Sequence, residues 1–353
     1  MSIYFFISLL LLSPIIADIY SYKKNSKLYR IDMYNYNRII FSIVVIITLW
    51  IMTSFRSINI GNDTITYCKY FRVISSSGIN TNYAIEIGYQ YVILFISKIT
   101  KSIHGFIILS SSIQYILLTI YMIKYSKNKE YFAVLVFAIC FGAICNIQRQ
   151  TLAMIICMFA YEQLKKKKYM LFFLFVLLAS TIHSSSLCVL LILFNKIMPI
   201  KKKKCVIIFI LIFLLSVTGR IFGIVNLISG EYNNYFESQY ANSGYLGVFI
   251  YIIKAIFIYM IARINSSRKI EYTNAFLLIS FSLCAFSVNL FTRISDYFLW
   301  LSLVDITNID NFSDFNRQIK LLDCFIFFSV VWFFVVILLR PEWNNLVPYE
   351  FWH

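Results

Sequence analysis

The chain has 353 residues, of which 60% are hydrophobic and 14% charged, with a mean hydropathy of +0.75. That is far more apolar than a water-soluble domain sustains. Its 32 basic and 16 acidic side chains leave a formal charge of +16, but the lysines stand in short blocks between apolar windows, which is the pattern of cytoplasmic loops and not of a nucleic-acid surface. The eight cysteines lie mostly inside apolar windows without a CxxC pair, so neither a disulfide framework nor a metal cluster is expected.

A spanning helix needs roughly 20 mostly apolar residues, and such windows recur along the whole chain. The basic blocks are Lys23, Lys24, Lys27 and Arg30; Lys124, Lys127 and Lys129; Lys165 to Lys168; Lys201 to Lys204; Arg263, Arg268 and Lys269; and Arg317 with Lys320. Placing all of them in the cytoplasm gives spans near 3–20, 39–55, 105–123, 131–148, 149–164, 169–183, 184–198, 205–225, 245–262, 272–292, 294–308 and 321–339, with both termini outside. The first run is kept as a span because its lysines follow the apolar core and no small-residue cleavage site is evident. The segment AIEIGYQYVILFISKIT, 84–100, would invert every later block if it crossed, and Glu86, Gln90 and Lys98 interrupt it, so it reads as re-entrant or interfacial. The expected fold is therefore all-α: a single membrane domain over 1–353 with about twelve transmembrane helices, and external loops near 56–104 and 226–244.

With that parity, polar residues outside the basic blocks converge on the external face. Arg56, Asp63 and Tyr67 follow the second span in TSFRSINIGNDTITYCKYF; Gln148, Arg149 and Gln150 lie in CNIQRQTLA; His183 ends LLASTIHSSSL; Arg293, Asp296 and Tyr297 lie in FTRISDYF. An arginine deep in an apolar helix costs about 2.5–3.5 kcal/mol to insert, so such residues default to a functional reading. Taken singly, an arginine at a helix end often only snorkels to head groups, and Asp63 in GNDT suits an Asx turn or a helix N-cap. Arginines gathered at one face suit a polyanion, because guanidinium forks bind phosphate oxygens bidentately. A lipid-linked pyrophosphate fits, its tail among the helices and its head group at the boundary. The three histidines, His104, His183 and His353, form no HxxxH, and no DxD, Walker loop, GxGxxG or GxSxG is present, so no metal site or cofactor is expected. Apart from Arg220 in VTGRIFG, the middles of the spans read as nearly free of charge, which weighs against a transporter.

Several of these stretches resemble one family. FRSINIGNDTITYCKYF is similar to the R-x-x-x-x-G-x-D-x-x-x-Y pattern near the start of the EpsG-like, Wzy-type membrane polymerases of bacterial exopolysaccharide, capsule and O-antigen, although Ser57, Ile58 and Asn59 depart from it. The stretch from NIQRQTLA through the basic turn to ASTIHSSSL resembles the family's R-Q-x-x-A helix and the following helix that ends in A-x-x-x-H-x-S. NLFTRISDYF resembles its R-x-x-x-Y-F element, and VPYEFW its closing P-Y segment.

The resemblance implies polymerisation of undecaprenyl-diphosphate-linked oligosaccharide repeat units on the external face of the bacterial cytoplasmic membrane. Arg149 and Arg293 would stabilise the leaving diphosphate, and Asp63 or His183 would accept the proton of the incoming hydroxyl. Arg56, Tyr67, Gln148, Gln150, Asp296 and Tyr297 would bind the sugar or phosphate, and the polar segment EYNNYFESQYANSGY would line a sugar groove. The expected partners are the lipid-linked substrate and the bilayer, with a chain-length regulator and a flippase at family level. An O-antigen ligase and a lipid-linked oligosaccharide flippase are the competing functions; acceptor identity separates the first, and charges along a central path the second.

Overall fold

The computed structural model describes residues 31–193, 245–264, 269–286, 290–308 and 315–352, with residues 208, 210–212, 214 and 215 between them. The expected span at 3–20, the basic blocks at 23–30 and 201–204, Arg220, Arg268 and the loop at 226–244 lie outside the described residues. Every described element is helical, and among the described residues the one extended pairing is an isolated antiparallel bridge between Arg56 and Phe351.

In chain order the helices are α1 (Ile31–Ser54), α2 (Thr64–Ser77), α3 (Ile87–Ile99), α4 (Ile103–Tyr125), α5 (Lys129–Leu135), a π-helical turn (Val136–Cys140), α6 (Phe141–Asn146), α7 (Gln148–Lys165), α8 (Tyr169–Ile182), a 3₁₀ run (Ser184–Leu193), α9 (Tyr245–Ile264), α10 (Lys269–Cys284), α11 (Leu290–Thr307) and α12 (Phe315–Leu339). Three stretches among the described residues, Ile103–Tyr125, Lys129–Asn146 and Ile319–Leu339, are long and apolar enough to cross a membrane, and shorter apolar helices accompany them. The 14 residues of α8 reach only about 21 Å at 1.5 Å per residue. The 3₁₀ run stands in place of the span expected at 184–198. Helix α3 occupies the segment read as re-entrant or interfacial, and α2 is a helix inside what the sequence presented as an external loop.

Two helices form the centre. Along α7 nearly every side chain from Gln148 to Leu164 is buried, and along α11 burial is continuous from Tyr297 to Thr307. The surrounding helices turn isoleucine, leucine and phenylalanine outward, among them Ile116 and Ile123 of α4, Leu174 and Leu177 of α8, and Phe327 and Leu338 of α12. Apolar faces this extensive suit lipid and not water. Buried hydroxyls return their hydrogen bond to the preceding turn, as Thr53 does to Leu49 O at 2.8 Å and Ser302 to Phe298 O at 2.9 Å, which satisfies them where no water is at hand.

The two ends of the body differ chemically. At one end Arg38 pairs with Glu130 at 2.7 Å, and Lys165 lies between Glu162, at 2.7 Å, and Asp305, which also accepts from Tyr161 at 2.7 Å. Lys165 to Lys168 extend from this end. At the other end the loop 55–63 is clamped from three sides. Arg56 is fully buried, and its guanidinium donates to Thr53 O, to Ser111 Oγ at 3.4 Å and to Cys145 O at 3.3 Å. Thr53 and Cys145 sit in the last turns of α1 and α6, where carbonyls lack helical partners and a cation is favoured. The C-terminal tail closes over the same loop: Ser57 N–H donates to Glu350 O at 2.8 Å, Trp352 N–H to Phe55 O at 3.0 Å, and the Trp352 ring stacks on His104 at 4.4 Å. Gly61, at φ +86°, donates to Asn345 O at 3.1 Å and leaves no space for a Cβ against the Cys145 carbonyl.

Gly61→Ala therefore meets both an unfavourable backbone region, costing about 1–2 kcal/mol, and a steric conflict with α6. Thermal unfolding of the detergent-solubilised protein will show a Tm several degrees below wild type; an unchanged Tm contradicts this account of the loop.

Candidate functional site

The clamped loop delivers Asp63 to the N-terminus of α2, where its backbone N–H donates to Asn146 Oδ1 at 3.1 Å. Asp63 stands at the N-cap position, its carbonyl accepting from Tyr67 N–H at 3.0 Å, but its carboxylate makes no capping bond to the helix. Burial raises the Asp63 carboxyl above its ordinary range, while the charges of Arg293 and Arg149 act in the opposite direction. Those two arginines belong to the starts of α11 and α7. Gln150 joins them, its Nε2 donating to the Arg293 carbonyl at 3.0 Å.

Arg149 in turn contacts a residue that the sequence reading treated only as a break in an apolar run. Its guanidinium donates to Glu86 Oε2 at 2.7 Å, and the other carboxylate oxygen, Oε1, takes His183 Nδ1 and Ser184 N–H at 3.0 Å each and Ser184 Oγ at 3.3 Å. Burial would push the Glu86 carboxyl up, but the hydrogen bonds from His183 and Ser184 and the charge of Arg149 outweigh it and bring it down to about 2. The signal that would have found Glu86 is the one applied to the arginines: an acid in an apolar segment carries an insertion cost that only a partner or a function offsets. The side chains of Arg149, Glu86 and His183 are 22%, 23% and 17% exposed, and Arg293 is more open still, so the corner faces outward.

Tyr67 lines the inner wall. The Arg149 backbone N–H lies against its hydroxyl, its ring meets Tyr89 at 5.7 Å, and burial with the nearby Asp63 charge pushes its phenol up to about 12, which makes it a hydrogen-bonding group and not a base. Tyr297 is buried below the corner and accepts from Ser185 Oγ at 3.1 Å.

Three expected residues point elsewhere. Arg56 is enclosed beneath the loop, because the last-turn carbonyls of α1 and α6 take its donors. Gln148 is buried against α4, accepting from Ser110 Oγ at 3.4 Å. Asp296 is engaged by Tyr251 of α9 at 2.7 Å, and Lys254, buried in the middle of α9 with its ammonium 6.0 Å from the Tyr251 ring centre, is a mid-helix charge that the sequence reading passed over. Among the described residues no group of three or more His, Cys, Asp and Glu side chains stands at metal-binding distance. Asp63, Glu86, Arg149 and Arg293 thus come from the N-terminal ends of four helices, where backbone amides attract anions, with His183 at the C-terminal end of α8 beside them. The arrangement can hold a doubly charged anion next to an imidazole.

Because Glu86 ionises more readily when folded, the stability it adds is present at neutral pH and is lost as pH falls from its ordinary 4.5 through about 2. The Tm difference between wild type and Glu86→Gln will shrink as pH falls from about 4.5 to about 2; a difference that grows over that range contradicts the ion pairing.

No curated protein and no solved structure matches the chain. The EpsG family model matches residues 39–351, from the middle of α1 to the tail that closes over the loop, and so takes in every residue of the corner. By that match, the chain belongs to the EpsG family.

Proposed function

We propose that this membrane protein polymerises undecaprenyl-diphosphate-linked oligosaccharide repeat units on the external face of the bacterial cytoplasmic membrane. Family membership supports a polymerase-like role in polysaccharide biosynthesis. The observation that carries the substrate class is the placement of Arg149 and Arg293 at the starts of two adjoining helices, bridged by Gln150 and open to the outside. Each guanidinium stays charged at any physiological pH and presents a planar fork to phosphate oxygens. The apolar flanks of the helices suit the lipid tail of the same molecule.

The reaction moves the growing chain from its lipid diphosphate to a hydroxyl of the next lipid-linked unit. As the bond from C1 of the donor sugar to the diphosphate breaks, negative charge builds on the leaving group and positive charge on the sugar. Donors already fixed around the diphosphate stabilise that charge without having to reorganise. Arg149 is held by Glu86, and the backbone of Arg293 by Gln150, so both cations are in place before substrate arrives. Tyr67 and Gln150 stand at hydrogen-bonding positions along the wall. Some twelve crossings with the basic blocks in the cytoplasm orient this corner outward; in support, Lys165 lies 16 residues after Arg149 along α7, about 24 Å away at 1.5 Å per residue.

In a source strain lacking this gene, wild type will restore the surface polysaccharide ladder. Arg149→Ala and Arg293→Ala will leave a single repeat unit on the acceptor at normal membrane levels of protein, and Arg149→Lys will rescue poorly. An unaltered ladder in both alanine variants contradicts the proposal, and loss of every repeat on deletion assigns the gene to ligation or flipping. For orientation, cysteine placed at Ser184 will react with an impermeant thiol reagent from outside and cysteine at Lys166 only after the cells are opened; the reverse pattern contradicts the external face.

A further inference from the structure

The polymerase reading leaves two candidates for the proton acceptor, Asp63 and His183, and the geometry around Glu86 separates them. A carboxylate held ionised has no proton to give; it only accepts. Glu86 Oε1 already takes the Ser184 N–H at 3.0 Å, and His183 Nδ1 lies at the same 3.0 Å from it. Nδ1 must therefore carry the hydrogen, and in that tautomer of the ring the free electron pair lies on Nε2. His183 ends α8 in an extended conformation, φ −153° and ψ 114°, and its backbone N–H donates to Ala179 O at 2.9 Å, so the main chain is fixed on one side of the ring and the carboxylate on the other. Glu86 Oε2 meanwhile holds Arg149 at 2.7 Å. One carboxylate thus sets the spacing between a phosphate-binding cation and an imidazole. Among the described residues Asp63 shows no such support: its side chain makes no capping bond at the start of α2, and the two arginine charges lie on it, which favours a role in balancing those cations when the anionic substrate is absent.

We propose that Glu86 is the positioning residue of this site, fixing His183 in the Nδ1–H form so that Nε2 takes the proton of the acceptor hydroxyl beside the diphosphate bound at Arg149. The inference rests on the polymerase reading. In the step, the acceptor oxygen bonds to C1 of the donor sugar as its proton passes to Nε2, and the C1–O bond breaks with its electron pair leaving on undecaprenyl diphosphate. The imidazolium formed is stabilised by Glu86 and afterwards returns its proton to water.

The test uses the full-length protein in proteoliposomes and lipid-linked repeat units extracted from the deletion strain, with initial rates of chain growth. In His183→Asn the side-chain amide replaces Nδ1–H and keeps the bond to Glu86, but offers nothing in place of Nε2. It will stay folded with KM within about threefold of wild type, while kcat falls on the order of 100-fold or more, the usual contribution of a general base. Glu86→Gln will lower kcat markedly in wild type and by clearly less in His183→Asn, where only its hold on Arg149 is left to lose. His183→Asn with wild-type kcat overturns the inference, as does a Glu86→Gln penalty of the same size in both backgrounds. If Glu86→Gln does not fold, the His183→Asn result decides alone. Wild-type protein that adds no repeat units at all overturns the polymerase reading itself, whereas active wild type with fully active His183→Asn overturns only the role of His183 and Glu86.

Discussion

The carboxylate of Glu86 is the contact on which the open corner depends. It joins the start of α3 to the start of α7 through Arg149 and to the end of α8 through His183 and Ser184. Without it Arg149 loses the carboxylate it is hydrogen-bonded to, and the turn after α8 loses the acceptor for its first free N–H. A half-buried carboxylate facing an arginine is a stronger constraint than an exposed ion pair, because screening is weaker and the donors it takes have few other acceptors. The acid has the further effect of bringing the total charge of the corner down, so that two arginines can stand close together before an anion arrives.

Around that contact the structure arranges a rigid frame. The buried Arg56 ties the ends of α1 and α6 to the loop before α2, and the tail from Asn345 to Trp352 covers the loop from outside. These contacts are internal to the protein, and they fix the height at which Asp63 enters the corner. The central helices α7 and α11 carry Arg149 and Arg293 on buried, closely packed backbones, with Gln150 as the bridge. Cations placed on such elements keep their separation when a charged ligand enters, which is the condition for transition-state stabilisation by a preformed site.

Much of this was legible in the sequence, and the parts that were not failed for physical reasons. Helix-forming apolar windows and the lysine blocks between them gave the all-α class, and the expected limits at 105–123 and 169–183 fall within two residues of α4 and α8. The π-helical turn at Val136–Cys140 and the 3₁₀ run at Ser184–Leu193 were hidden, because hydropathy reports burial and not the hydrogen-bond register. Helix α2 was hidden by its polar residues, whose amphipathic pattern was read as loop. At the site, the convergence of Asp63, Arg149, His183 and Arg293 followed from counting which helix ends share a face. Arg56 met the same count yet lies beneath the surface, because that count does not say whether a side chain at a helix end turns outward or back toward open carbonyls. Glu86 does not stand out in the sequence, because its segment shows the topology it disturbs and not the partner the acid needs.

The central claim is that this chain transfers glycan from one lipid diphosphate to another. Its most direct test is stoichiometric: purified protein in proteoliposomes, supplied only with lipid-linked repeat units, with glycosidic bonds formed and undecaprenyl diphosphate released counted together. The account predicts one undecaprenyl diphosphate released for each bond formed, with products extending as a ladder. Release of the lipid diphosphate without chain growth, or passage of intact units across the bilayer with neither, would contradict it.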